Sequence, residues 1–159
     1  MLSTTSEYAL RALACLAGQP PGTALLGRNL AKAAEIPANY LSKILLTLRN
    51  AELVDTTRGW GGGYRLHKPA EEIFLIDVVE LFDGISRNKP ACFLQHQKPC
   101  PSSSSCSAHI LWADLQARYL AFLVSTPLSA LAPQMPPLAD ISPHVGNMPR
   151  QEVRDEIGL

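Results

Sequence analysis

Three cysteines with the chemistry of metal ligands follow one another closely in the second half of the chain. Cys92, Cys100 and Cys106 are separated by seven and five residues, and His109 follows the last cysteine with two residues between. Thiolates are soft, charged donors that bind iron or zinc. Residues 86–107 around them lack hydrophobic periodicity and contain prolines and a run of four serines. The sequence therefore predicts a loop that a metal would cross-link.

The residue types alone are compatible with several kinds of site. The first residues of the chain lack the basic and apolar segments of a secretory signal, so we expect a cytoplasmic protein whose cysteines stay reduced. Reduced thiols favour metal or redox chemistry over structural disulfides, and three free cysteines in a loop are the alternative. Three thiolates leave a fourth ligand position open. His109 and His96 are candidates for it, whereas Cys15, on the inner side of a predicted helix, is expected to be a core residue.

A second group of residues suggests contact with nucleic acid. Residues 53–57 and 64–66 are predicted to form an antiparallel hairpin around a glycine-rich turn. The turn contains Arg58, Gly59, Gly61 and Gly62. An arginine beside glycines can enter a narrow minor groove while the backbone approaches the phosphates. The alternative is an ordinary hairpin with a solvated arginine. A phosphate-binding enzyme loop is disfavoured, because no Lys-Ser/Thr pair follows the glycines.

The elements before this hairpin are predicted to be three helices. Apolar residues recur at helical spacing in residues 7–17, with Ser6 or Thr5 as the expected N-cap, then in residues 26–34 and 38–50. Two short helices joined by a tight turn are typical of a helix-turn-helix. The third helix has an apolar stripe made of Leu41, Ile44, Leu45 and Leu48.

The opposite face of the third helix carries the predicted DNA contacts. Asn39, Ser42 and Lys43 are candidates for base-edge contacts, and Tyr40 could donate to a phosphate or be half-buried instead. Arg49 is a further candidate DNA contact, although a cation near a helix end also complements the helix dipole.

The rest of the chain is predicted to carry a fourth helix over residues 76–82 and a long helix from His109 onward. The apolar stripe of the long helix is too broad for a lone exposed helix, so we expect it to pack against a partner subunit. A last short helix follows Pro127. We expect a winged helix-turn-helix domain over residues 1–85, a cysteine loop and dimerisation helix over 86–131, and a flexible proline-rich tail over 132–159. The fold class is mainly α with a small β-hairpin.

Composition and charge are consistent with this organisation. The chain has 159 residues, enough for one core, and 47% are hydrophobic, which argues against general disorder. No stretch of about 18 apolar residues is free of charge or proline, so no membrane span is expected. The net charge is zero, but residues 1–70 hold eight Lys and Arg against four Asp and Glu. This basic bias favours a polyanionic partner.

These motifs, taken in order, resemble the IscR/NsrR-type family of bacterial winged-helix regulators over roughly residues 1–131. The resemblance rests on Ser6-Glu7-Tyr8-Ala9-Leu10-Arg11-Ala12, Tyr40-Leu41-Ser42-Lys43-Ile44-Leu45, Leu48-Arg49-Asn50-Ala51-Glu52-Leu53-Val54, the segment from Arg58 to Leu66, and the cysteine loop with His109. It implies a homodimer that binds a palindromic operator in double-stranded DNA, with recognition helices in successive major grooves and wings in the minor groove.

The resemblance also implies a cofactor. In that family three cysteines hold a [2Fe-2S] or [4Fe-4S] cluster, which identifies Cys92, Cys100 and Cys106 as ligands. The fourth ligand differs between branches, and here it matches either His109 or Glu7, the latter supplied by the partner subunit. The expected function is a transcription regulator that senses redox, nitric oxide or iron–sulfur status. The alternatives are a zinc-stapled or cluster-free regulator and a small thiol- or metal-dependent redox enzyme. The enzyme is disfavoured, because no base with an orienting partner accompanies a nucleophile.

Overall fold

A computed structural model of the chain describes residues 2–59, 62–87 and 107–132. This part of the chain contains five α-helices and one two-stranded antiparallel hairpin. In chain order the elements are α1 (Thr4–Ala17), α2 (Gly27–Ala33), α3 (Ala38–Asn50), β1 (Val54–Thr57), β2 (Gly63–Leu66), α4 (Leu75–Asp83) and α5 (Ser107–Ser125). Short 3-10 turns cover Ala70–Glu72 and Leu128–Ala130. The predicted fold class, mainly α with a small hairpin, is confirmed.

Helix α1 begins three residues earlier than predicted. The expected N-cap at Ser6 or Thr5 is wrong, because the hydroxyl of Ser3 accepts the Ser6 N–H at 3.2 Å and caps the helix. Ser6 is instead fully buried. The apolar face of α1 forms one wall of the core, and Cys15 is buried there as predicted, with burial raising the pKa of its thiol and the charge of Arg11 opposing that shift.

Helices α2 and α3 form the predicted helix-turn-helix. In the turn, Glu35 adopts a positive φ of 53°, and the Ile36 N–H donates to the Ala31 carbonyl at 2.9 Å. Pro37 then precedes α3, whose bounds coincide with the predicted residues 38–50. All four residues of its apolar stripe are buried, namely Leu41, Ile44, Leu45 and Leu48.

The hairpin is tied to the loop before α2. Strands β1 and β2 pair from Val54 with Leu66 to Thr57 with Gly63. On the other edge of β2, the N–H groups of Leu25 and Tyr64 donate to each other's carbonyls, both at 2.8 Å. A Cβ on Gly63 would lie 2.2 Å from the Leu25 carbonyl oxygen, so this close approach requires glycine.

Helix α5 returns to the core at its C-terminal end. Gly84, in the left-handed conformation, ends α4, so Asp83 is the last helical residue rather than part of the stop. The Leu75 N–H donates to the Thr126 carbonyl at 3.0 Å, and the Leu128 N–H donates to the Ile73 carbonyl at 2.7 Å. The predicted last helix is a 3-10 turn whose Leu128 is buried in the same core as α1. In the part of the chain that the structure describes, no helix combines the length and apolarity needed to cross a membrane.

Candidate nucleic-acid interface

Helix α3 presents a polar face opposite its buried stripe. Asn39, Tyr40, Ser42 and Lys43 are all exposed on this face, Tyr40 to 57%. Arg49 is exposed in the last turn. The predicted side chains of α3 thus share an accessible surface of the second helix of a helix-turn-helix, the position from which such motifs contact base edges.

The hydroxyl groups of α3 are partly engaged within the helix. Ser42 Oγ donates to the Ala38 carbonyl at 2.9 Å, and Thr47 Oγ1 donates to the Lys43 carbonyl at 3.1 Å. Ser42 therefore offers a DNA base mainly its acceptor lone pairs, whereas the Lys43 ammonium forms no ion pair among the described residues.

The tip of the hairpin holds the second group of predicted contacts. Arg58 is exposed directly after β1, and Gly59 has a φ of 104°. The Gly62 N–H donates to the Gly59 carbonyl at 2.9 Å, and a Cβ on Gly62 would lie 2.4 Å from the Thr57 carbonyl oxygen. Gly61 lies outside the described residues. The turn is therefore tight at Gly59 and Gly62 and leaves the Arg58 guanidinium on its surface.

The hairpin also contains a charge cluster that sequence reasoning missed. Arg65 and His67 both contact the Asp55 carboxylate, at 3.5 Å and 2.9 Å. The hydrogen bond between His67 and Asp55, with a smaller contribution from the charge of Arg65, outweighs the opposing effect of burial and lowers the pKa of Asp55. Arg65 directly opposes Asp55 in the strand register, so an assumed hairpin register could have revealed this pair. Arg65 is consequently less available to DNA than Arg58.

A second missed cluster joins α1 to the helix-turn-helix. Arg11 Nη2 lies 3.1 Å from Glu35 Oε2 and its guanidinium stands 5.9 Å from the centre of the Tyr8 ring. The Tyr8 ring meets the Tyr40 ring edge-on at 6.5 Å between centres. Tyr40 is therefore neither a core residue nor a free side chain. Contacts between α1 and this turn join residues that are far apart in the sequence, so no local sequence pattern predicts them.

The predicted metal ligands are only partly visible. Cys92, Cys100 and Cys106 lie outside the described residues. His109 is exposed in the first turn of α5, and Glu7 is exposed in the first turn of α1 with its Oε1 3.8 Å from Arg11 Nη1. Residues 2–59, 62–87 and 107–132 bring no three His, Cys, Asp or Glu side chains together as a metal site. Both candidates for the fourth ligand are thus accessible, and the three thiolates have the donor chemistry that iron or zinc prefers.

The chain is similar to known proteins over most of its length. The Rrf2 family model, described as an iron-dependent transcriptional regulator, matches residues 2–134. The HTH-type transcriptional regulator IscR of Escherichia coli is 29% identical over 160 residues, which covers 99% of this chain and 96% of IscR. The candidate HTH-type regulator Rv1287 of Mycobacterium tuberculosis is 42% identical over 83 residues, so the chain spans about half, 52%, of its length.

Solved structures agree on the fold. CymR of B. subtilis, described as the global cysteine regulator, has a TM-score of 0.71 at 24% identity, covering 86% of this chain and 98% of CymR. The oxidised form of Staphylococcus aureus CymR has a TM-score of 0.66 at 27% identity, covering 83% and 95%. These relatives are named as regulators, not enzymes. Because the family match extends over most of its length, the chain belongs to the Rrf2 family of transcriptional regulators.

Proposed function

We propose that this regulator reads double-stranded DNA with α3 and the hairpin, and that a metal cluster in its cysteine loop controls this reading. The observation that carries the DNA-reading half is the shared exposure of the polar face of α3 and of the wing arginine. The contact residues are Asn39, Tyr40, Ser42, Lys43 and Arg49 on α3, with Arg58, Gly59, Gly61 and Gly62 in the wing.

The chemistry of each side chain suggests which part of the DNA it contacts. Lys43 and Asn39 offer donors that can read purine edges in a major groove, and Ser42 offers an acceptor. Arg58 projects from a glycine turn whose backbone can approach phosphates, so it suits a narrow minor groove. Two copies related by a two-fold axis would read a palindromic operator, and we expect the protein to act as a homodimer in the cytoplasm, where the DNA is.

The sensing half rests on the donor set. Cys92, Cys100 and Cys106 would hold an iron–sulfur cluster of the [2Fe-2S] or [4Fe-4S] type, and the family description as iron-dependent supports iron over zinc. A bound cluster would supply redox-active iron that also reacts with nitric oxide. His109 would complete the site from the start of α5, or Glu7 would do so from α1 of the partner subunit.

Helix α5 connects the proposed cluster site to the domain that carries α3. The C-terminal end of α5 is fixed to the segment before α4 by the Leu75 and Leu128 hydrogen bonds described above, and Leu123 is buried against the core that carries α3. We therefore propose that loading, oxidation, nitrosylation or loss of the cluster moves the loop and α5, and so changes the spacing of the two recognition helices. In this scheme residues 1–85 read DNA, 86–131 sense and dimerise, and 132–159 form a tail.

The decisive experiment is metal analysis of anaerobically purified protein. We expect iron and acid-labile sulfide in stoichiometric amounts, and absorbance between roughly 300 and 600 nm that is lost in Cys92→Ala, Cys100→Ala and Cys106→Ala. Cys15→Ala, a buried thiol distant in sequence from the loop, is the matched control and should retain the colour. Colourless protein with stoichiometric zinc would replace the cluster by a structural zinc site. Protein without metal would leave a cluster-free regulator.

The fourth ligand is tested on the same samples. His109→Ala and Glu7→Gln each remove one candidate, and the variant that lacks the true ligand should show a shifted spectrum and faster cluster loss in air. If both variants keep the spectrum and lifetime of the wild-type protein, neither residue is a ligand.

A further inference from the structure

Arg11 occupies the centre of a cluster that links α1 to both sides of the helix-turn-helix turn. One of its terminal nitrogens contacts Glu35 at 3.1 Å, while the other lies 3.8 Å from Glu7. Its guanidinium also stands over the Tyr8 ring. The Arg11 side chain is only 32% exposed, although both acids that face it are more than half exposed. The arginine is thus held between groups that belong to different elements.

The two ends of this cluster meet the DNA-reading helix at defined points. Glu35 lies in the turn between α2 and α3 and holds a left-handed backbone conformation, two residues before Pro37. Tyr40 lies in the first turn of α3, and its ring meets Tyr8 at an interplanar angle of 69°. Arg11 therefore acts on the turn directly, and on the first turn of α3 through the paired tyrosine rings.

We propose that Arg11 is a positioning residue for DNA recognition, which orients the first turn of α3 through Glu35 and through the Tyr8–Tyr40 ring contact. This inference rests on the proposed DNA-reading function of α3. It goes beyond that function, because Arg11 belongs to α1 and needs no contact with DNA itself.

Positioning by Arg11 is distinct from stabilisation of the fold. The fold of α3 is secured by its four buried apolar residues, whereas an exposed ion pair adds little to stability. Tyr40 stays 57% exposed, so its ring remains accessible while Tyr8 restricts its rotamers. A side chain ordered before binding loses less conformational entropy when DNA arrives, which increases affinity without adding a contact.

The test is a charge-reversal pair measured on DNA. The probe is a duplex selected by the wild-type protein from a random 30-base-pair library, compared with an unselected duplex by fluorescence anisotropy. Arg11→Glu should weaken binding to the selected duplex about tenfold, since a factor of ten corresponds to the loss of one well-placed interaction. Arg11→Glu with Glu35→Arg restores the ion pair at unchanged net charge but not the cation over the Tyr8 ring, and should recover part of the affinity, to within about threefold of the wild type.

Controls separate positioning from charge and from folding. Arg87→Ala removes an exposed cation after α4 and should change both duplexes equally by less than about twofold, as expected for nonspecific electrostatics. Urea unfolding midpoints of the Arg11 and Glu35 variants should match the wild type. If Arg11→Glu fails to fold, Arg11→Gln, which keeps a donor but no charge, takes its place.

The outcomes distinguish this inference from the proposed function. Selective loss on the selected duplex with recovery in the double variant supports Arg11 as a positioning residue. Wild-type affinity in the Arg11 variants, or no recovery in the double variant, overturns the inference and leaves the function standing. A wild-type protein without any preference between the duplexes overturns both.

Discussion

The exposed side chains of the interface differ in the contacts that they already make within the chain. The Ser42 hydroxyl donates a hydrogen bond to the Ala38 carbonyl within α3, and Arg65 forms an ion pair with Asp55. Lys43 and Arg58 form no ion pair among the described residues, so their charges remain available. At the scale of single residues, these two cations are therefore the side chains on which the proposed DNA contacts depend most.

Arg58→Ala should weaken binding to a selected operator roughly tenfold and lower the salt dependence by about one counterion, because a minor-groove arginine contributes both shape readout and charge. Lys43→Ala should instead change the preferred sequence, because its contact is to a base edge. Anisotropy titrations at several salt concentrations, together with repeated selection from a random library, measure both effects.

Asn50→Ala is a suitable control for these two variants, since Asn50 is an exposed polar residue at the end of α3 that carries no charge. Unchanged affinity and unchanged sequence preference in both Arg58→Ala and Lys43→Ala would show that the interface has been assigned to the wrong residues.

The charge of Asp83 stabilises the fold. Its carboxylate accepts the Ser3 N–H at 3.1 Å and the Ser3 hydroxyl, and so fixes the N-terminus of α1. Burial opposes ionisation of Asp83, but the hydrogen bonds from Ser3 prevail and hold its pKa below the usual value. Its contribution to stability is therefore present above the unfolded-state pKa of about 3.9 and is lost as the pH falls through the lower folded-state pKa.

Asp83→Asn should lower the free energy of unfolding by about 1 kcal/mol at pH 7, because charged hydrogen bonds to Ser3 are replaced by weaker ones. The difference from the wild type should shrink as the pH falls below about 3.9. Thermal unfolding between pH 7 and pH 3 measures this. Asp114→Asn, which breaks an exposed pair with Arg118 at 2.9 Å, should have a much smaller effect. If the difference in free energy of unfolding between Asp83→Asn and the wild type grew at low pH, the stabilising role of the Asp83 carboxylate would be contradicted.

At the scale of elements, the hairpin depends on a contact from outside it. An isolated two-stranded hairpin is marginally stable in water. Here Leu25 adds a pair of backbone hydrogen bonds to the free edge of β2 at Tyr64, and Gly63 makes the approach possible. This close backbone contact therefore helps to fix the orientation of the wing relative to α2.

Gly63→Ala should destabilise the protein by about 2 kcal/mol or more and weaken DNA binding further, because its Cβ would collide with the Leu25 backbone, which cannot yield as a side chain would. Gly18→Ala is the matched control. A Cβ there meets ordinary contacts at 3.6 to 3.7 Å, so stability should change by less than about 0.5 kcal/mol. Urea unfolding gives both values, and equal stability of the two variants would refute the close contact.

At the scale of the whole molecule, α5 leaves large apolar side chains exposed along its length. Its C-terminal end is buried at Leu123. Toward its N-terminus, Ile110, Leu111 and Leu115 are exposed to 76%, 75% and 56%. Large apolar side chains exposed side by side on one helix are typical of an interaction surface. This observation supports the proposal that α5 covers a second copy of the chain.

Leu111→Glu should weaken self-association about a hundredfold, because it removes a buried leucine from the interface and places a charge there. Sedimentation velocity across a concentration series measures the change. Leu46→Glu makes the same substitution at a leucine that is 52% exposed on α3, away from α5, and should leave assembly unchanged. A monomeric wild-type protein, or equal effects of the two variants, would exclude this face as the dimer contact.

Sequence alone determined the elements whose signals are local. The bounds of α3 and its buried stripe follow from 3.6-residue periodicity after Pro37, and the hairpin follows from β-branched residues around glycines. The exposed positions of Asn39 and Lys43 follow from the helical periodicity, since a residue off the apolar stripe faces solvent, and that of Arg58 follows from its place in the hairpin turn. Ser3, rather than Ser6, caps α1 because its hydroxyl is placed by the long-range contact with Asp83.

Only the tertiary structure decided which distant residues meet. The Arg11 contact with Glu35, the meeting of Tyr8 with Tyr40, and the pairing of Leu25 with Tyr64 each join segments separated by at least 24 residues. Such contacts depend on how helices pack around a shared core, and periodicity within one segment carries no information about the rotation of its neighbour. The sequence therefore identifies the exposed side chains that we propose to contact DNA, and the packing of α1 against the turn determines how Tyr40 is held.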